Sequence, residues 1–97
     1  MKTAAFDWDA GNRAKCAKHG VSADEIEELF RGAPRIAPDW VHSVSDERLI
    51  AIGRTRNGRP LFVAFTLRES AGEVLIRPIS ARYMHKKEIE AREKEGS

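Results

Sequence analysis

With 97 residues, 41% of them apolar and 33% charged, the chain is sized for one domain around a single core and is too apolar to stay disordered. No apolar run approaches the ~20 residues that span a bilayer. One cysteine, Cys16, excludes an internal disulfide, and His19, His42 and His85 are too scattered to complete a structural zinc site, so no metal or cofactor is expected. The net charge of +2 says little by itself; acids gather at 24–28 and in the last predicted helix, whereas arginines collect near strand ends.

The N-terminus, Met1 to Phe6, meets acidic residues at once and carries no apolar signal-peptide core, so the cytoplasm is the expected location. Phe6-Asp7-Trp8-Asp9 alternates as a short half-buried strand would. Asn12 is a plausible N-cap for a helix from Arg13 to His19, closed by Gly20. The next helix announces itself more clearly. Ser22 and Glu25 form a capping box, Val21 and Ile26 sit at the staple positions, and Ile26, Leu29 and Phe30 make the apolar stripe. Gly32 and Pro34 end it.

Arg35 to Val41 reads as an edge strand because Pro38 removes a ladder hydrogen bond, and 42–47 as a loop. Leu49 to Ile52 is a short buried strand, and Asn57-Gly58 predicts a type I′ hairpin turn into the next. There Leu61, Val63, Phe65 and Leu67 face one way and Phe62, Ala64, Thr66 and Arg68 the other. After a turn at Ser70-Ala71-Gly72, Val74 to Ala81 returns, with Leu75, Arg77, Ile79 and Ala81 on one face; Pro78 argues for an edge or a bulge. Tyr83 to about Glu95 is a highly charged helix with a thin apolar stripe of Met84, Ile89 and Ala91. Closely linked strands must run antiparallel, so the fold class is α+β, with helices on one side of a twisted antiparallel sheet.

The most informative stretch is Arg77-Pro78-Ile79-Ser80-Ala81-Arg82, which closes a strand with two arginines. With Arg68, His19 and Lys18 it offers the cationic surface that an RNA backbone would need.

These residues also carry a family resemblance. Phe6-x-Trp8-Asp9, Lys18-His19-Gly20-Val21-Ser22, Glu47-Arg48, Ile52-Gly53, Gly58-Arg59-x-Leu61 and Arg77-x-Ile79-Ser80-Ala81-Arg82 together resemble the BrnT toxins. Lys15, Pro78 and Arg92 depart from the family's usual pattern. The resemblance implies that residues 1–97 form one BrnT-like toxin domain with a RelE-like fold, two N-terminal helices and one C-terminal helix. It also implies a metal-independent ribonuclease toxin of a type II toxin–antitoxin system. RNA would be the substrate and a BrnA-like antitoxin the partner, with DNA met only through the antitoxin and no membrane involved.

Such an enzyme uses the RNA's own 2′-hydroxyl as nucleophile. It must remove that proton, stabilise the extra charge on phosphorus and protonate the 5′-oxygen. Arginine forks suit the middle task. The catalytic candidates are accordingly His19 or Glu47 for proton transfer, with Arg68 and Arg82 on the phosphate. Lys18, Arg48, Arg77 and Tyr83 are candidate RNA contacts. Each has a bland counterpart. His19 suits the dipole at a helix end, Glu47-Arg48 reads equally as a surface pair, and Arg68 could simply pair with Glu69. Trp8 is read as core, Trp40 as either core or a base-stacking platform, and Cys16 as a small buried hydrophobe. The alternative function is a non-catalytic binding module that keeps the fold and pairs with a DNA-binding antitoxin in transcriptional autoregulation. Catalysis expects His19, Glu47, Arg68 and Arg82 to converge in one cleft; binding lets them spread. No helix-turn-helix signal supports DNA binding by the chain itself.

Overall fold

Two tight turns force the middle of the chain into an antiparallel ribbon, and everything else is laid against it. The computed structural model describes residues 5–39 and 47–95. In chain order the elements are β1 (Ala5–Phe6), α1 (Ala10–Ala17), α2 (Ala23–Arg31), β2 (Arg35–Pro38), β3 (Leu49–Arg54), β4 (Pro60–Ser70), β5 (Glu73–Tyr83) and α3 (Lys86–Glu95). The strands form one sheet in the order β1-β5-β4-β3-β2. Strands β2 to β5 are antiparallel, and β2 is an edge as Pro38 requires. The expected all-antiparallel sheet needs a correction: β1 runs parallel to β5, pairing Ala5 with Leu75 and Phe6 with Ile76. Only a tight turn dictates antiparallel pairing, and two helices and three strands lie between these two. Trp40 and residues 42–46 of the expected 42–47 loop, His42 among them, lie outside the described residues.

Both hairpin turns obey backbone chemistry, though not as expected at Asn57-Gly58. Only Gly58 has positive φ there (82°), whereas a type I′ turn needs it at both central residues. Instead the Gly58 N–H donates to the Thr55 carbonyl at 2.8 Å, and the Arg56 N–H donates to Glu28 of α2 at 2.6 Å. The glycine thus closes a three-residue loop that is tied to the helix. The two-residue loop with both φ values positive is Ala71-Gly72, at 52° and 80°.

Helix α1 starts three residues earlier than Asn12 suggests. Asp9 is the N-cap, accepting from the Asn12 N–H, while Asn12 Oδ1 accepts from the Asp9 N–H. Asn12 is therefore the reciprocal member of the capping box, inside the first turn. For α2 the expected Ser22–Glu25 box, the buried Val21 and Ile26, and the stripe of Ile26, Leu29 and Phe30 are all present. The stripes of α1 and α2 pack through Cys16, Val21, Ile26, Leu29 and Phe30 on the β4 face that carries Leu61, Val63 and Phe65. Phe30 stands edge-on to both Phe6 and Phe65, at 5.8 and 4.9 Å between ring centroids. Trp8 packs against this core with its indole N–H on Glu27. Burial pushes the Cys16 thiol up to about 11, as an inert core thiol. Helix α3 uses the opposite sheet face, where Ile89 and Met84 meet Ile52, Ile50 and Phe62. Helices therefore cover both faces.

The last correction concerns phase. Across β4 and β5, Ala64 opposes Ser80 but Phe65 opposes Pro78, leaving Ile79 unpaired as a bulge. Arg82 opposite Phe62 and Arg77 opposite Thr66 consequently lie on one face, although they are five residues apart. Strand β5 also continues to Tyr83, which is a strand residue and not the start of the last helix.

Two stability changes follow from these contacts. A Cβ at Gly53 would sit 2.7 Å from Leu29 Cδ1, inside the packed core, so Gly53→Ala is expected to cost about 1–3 kcal/mol by overpacking. Ala71 bears left-handed strain that asparagine tolerates, so Ala71→Asn is expected to stabilise by about 1 kcal/mol. Denaturant unfolding of the two variants checks both signs.

Candidate functional site

Where β1 ends, its chain carries two carboxylates across the mouth of β5. Asp7 lies on the face opposite Phe6, and its Oδ2 accepts from Arg68 Nη1 at 2.9 Å and Arg77 Nη1 at 3.2 Å. Asp9 Oδ2 accepts from Arg77 Nη2 at 2.7 Å. One guanidinium is thus bridged by two acids, and one acid is shared by two guanidiniums. The hydrogen bond from Arg68, joined by that from Arg77, holds the Asp7 carboxyl below the usual range. Asp9 is lowered first by the backbone N–H of Asn12 and then by Arg77, whose own pKa is raised by the Asp9 carboxylate.

Asn12 fixes the acids in place. Its buried amide donates to the Asp7 carbonyl and to the Pro78 carbonyl, each at 2.9 Å. With Oδ1 on the Asp9 N–H, this side chain pins the β1–α1 link to β5 beside the bulge. A buried side chain whose three bonds reach three backbone groups has no conformational slack.

Beside the paired arginines lies an open cleft of about 520 Å³, lined by Glu47, Leu49, Thr66, Leu67, Arg68 and Arg77. It occupies the step where β3 stops and the β4–β5 hairpin runs on. Glu47, Arg68 and Arg77 are therefore brought together. Arg82 lies on the same face but about 13 Å further along, four strand positions from Arg77. There it makes a two-pronged pair with Glu88 of α3, at 3.0 and 2.9 Å, above the Phe62 ring. The Glu88 bond raises Arg82, and the same bond lowers Glu88.

The other candidates lie elsewhere. Lys18 and His19 are exposed in the turn after α1, on the layer that covers the opposite sheet face. Tyr83 points to that layer, donating to Glu25 at 2.6 Å and to the Gly20 carbonyl at 3.4 Å, with Arg59 stacked 3.5 Å from its ring centre. Burial and the Glu25 bond raise the phenol, away from use as a base. Arg48 precedes β3, and its carbonyl accepts from the Asp39 N–H. The expected convergence of His19, Glu47, Arg68 and Arg82 in one cleft thus does not form: His19 lies in the helical layer on the opposite sheet face, and Arg82 lies further along the strand, paired with Glu88. Arg68 pairs with Asp7 and not with Glu69. Sequence reasoning missed Asp7, Asp9 and Asn12. The acids were visible in the Phe6–Asp9 alternation, but their partners lie more than 60 residues away.

The description "ribonuclease toxin, BrnT, of type II toxin-antitoxin system" matches residues 8–88. The chain belongs to the BrnT family. The matched segment runs from just before Asp9 to Glu88, so it contains Arg68, Arg77, Arg82 and the cleft between Glu47 and Arg77. A search of curated proteins finds no match. As a family member the protein is a ribonuclease toxin of a type II system, which implies an antitoxin partner. No helix is long and apolar enough to cross a membrane among the described residues.

The lowered acids give the site a pH signature. A depressed carboxyl contributes stability above the ordinary aspartate range, and that contribution is lost as pH falls through it toward the folded value. Asp7→Asn is therefore expected to flatten the fall in unfolding midpoint between about pH 4 and pH 2, as measured by urea titration across that range.

Proposed function

We propose that this BrnT protein, with the RelE-like fold its resemblance implies, cleaves RNA without a metal ion. The scissile phosphate sits in the cleft between Glu47, Arg68 and Arg77. The Glu47 carboxylate takes the proton of the 2′-hydroxyl as that oxygen attacks phosphorus. The two guanidiniums receive the charge that builds on the non-bridging oxygens, and the 5′-oxygen leaves with a proton from water in the open cleft. The products are a 2′,3′-cyclic phosphate and a 5′-hydroxyl. The observation that carries this reading is the pair of arginines already oriented by Asp7 and Asp9 beside a carboxylate. Preset forks stabilise a developing charge without reorganising at the moment of reaction. Arg82, further along the same face, holds the RNA backbone. A BrnA-like antitoxin neutralises the toxin by covering this face, and reaches DNA on its behalf.

Labelled single-stranded RNA in EDTA tests the proposal. The wild type is expected to cut and leave cyclic phosphate ends. Arg77→Ala is expected to lower kcat by about 10²–10³, and Arg77→Lys to restore little, because a point charge cannot reproduce the fork. Glu47→Gln is expected to slow cleavage by about 10²–10⁴. If His19→Ala loses as much as Arg77→Ala, the chemistry lies outside this cleft and the reading fails. Ends lacking cyclic phosphate overturn the 2′-hydroxyl route.

A further inference from the structure

The ribonuclease cleft is not the only hollow that Arg77 borders. A second concavity of about 350 Å³ lies along the outer edge of β5, beyond the end of β1, with Lys15 and Arg77 on its rim and Gly11, Pro78 and Ile79 among its walls. Nothing in the cleavage step uses it. Resting on the ribonuclease reading above, we infer that this hollow is an RNA subsite for the nucleotide one step beyond the pair that flanks the cleaved bond. Its base lies over Ile79 and Gly11, and its phosphate lies on Lys15.

Three features lead there. First, Arg77 is shared: it lines both hollows, so a strand with one phosphate on Arg77 has its neighbouring nucleotide at the second hollow. The guanidinium can serve such a strand because its bonds to Asp7 and Asp9 engage one N–H on each terminal nitrogen, and the fork carries five. Second, at about 350 Å³ the hollow is large enough for one nucleotide base, and its half-buried Ile79 and exposed Gly11 lie between charged groups that suit a phosphate-linked ligand. Its walls are preset, since the bulge backbone is fixed by the Asn12–Pro78 bond. Third, Lys15 is exposed on α1 at the rim of the hollow and adds a second cation beside Arg77, while Asp9 is already engaged by Arg77.

The same bonds define what the subsite reads. The Asn12 amide and carbonyl are spent on the Asp7, Pro78 and Asp9 backbone, and Asp9 is spent on Arg77 and the Asn12 N–H. What remains for a base is apolar surface, which distinguishes a base from none but scarcely one base from another. The subsite therefore confers affinity and position with little sequence preference.

The test uses the intact protein and oligonucleotides with a single ribonucleotide, so that only one bond can be cut. One set stops at the nucleotides flanking that bond; the other extends it by one nucleotide on either side. For the wild type, extension on one side is expected to raise kcat/KM about tenfold, the scale of a single base contact. Changing the added base among all four is expected to alter kcat/KM by less than about threefold. In Lys15→Ala the loss is expected to fall on the extended substrate, with its salt slope shallower by about 0.7, as one phosphate contact requires. Equal behaviour of wild type and Lys15→Ala on extended RNA overturns the subsite alone. So does an equal loss on both lengths, which would place Lys15 in the fold or the cleft. A wild type that cuts neither length overturns the ribonuclease site and the subsite together.

Discussion

One extra residue in β5 sets the phase on which the site depends. The Ile79 bulge shifts the pleat between Ser80 and Pro78, so that arginines on either side of it face the same way. It also leaves the Pro78 carbonyl turned toward α1, where the buried Asn12 amide takes it up. Without that bulge a strict period of two would send Arg77 and Arg82 to opposite faces. Pro78 fits such a place because it has no N–H to lose from a ladder. From the bulge the dependence runs outward: Asn12 holds the β1–α1 link, the link carries Asp7 and Asp9, and the two acids hold Arg77 and Arg68.

The charge arrangement favours orientation over long-range attraction. Asp7, Asp9 and Glu47 offset much of the field of Arg68, Arg77 and Lys15, so this end of the sheet is a patterned surface with little net charge. An approaching phosphate gains less from distance than it would at an unpaired basic patch. It gains more on contact, because the guanidinium rotamers are already restricted and little side-chain entropy remains to be lost. The Arg82–Glu88 pair is different in kind. Both prongs meet one carboxylate of α3, so Arg82 also ties that helix to the sheet face.

Local chemistry was legible in the chain. The Ser22–Glu25 box, the Ile26–Leu29–Phe30 stripe, the β4 alternation and the edge position of β2 depend on residues within a few positions of one another, and they stand as read. Asp9 and Asn12 show how close the reading came at α1. Both are good caps, three residues apart, and the helix takes the acid as cap and the amide as its reciprocal partner. Asn57-Gly58 misled for a different reason, since the contact of Arg56 with Glu28 favours a loop that leaves only the glycine left-handed. The bulge was one of two options at Pro78, and no pattern within β5 chooses between them. The parallel β1–β5 pairing and the acid–arginine bridges were hidden more deeply, because their partners meet only in the folded chain.

The pairing of β1 with β5 also sets an order of assembly. The Asp7–Arg77 and Asp9–Arg77 bonds close over separations of 70 and 68 residues, whereas the β4–β5 hairpin closes over a two-residue loop. Short loops cost least entropy to close, and contacts this distant in sequence are among the last that folding rewards. On a ribosome the acids emerge first and wait for almost the whole chain before their arginine arrives. The oriented guanidinium fork is consequently a property of the finished molecule, and no truncated nascent form that stops short of β5 can possess it.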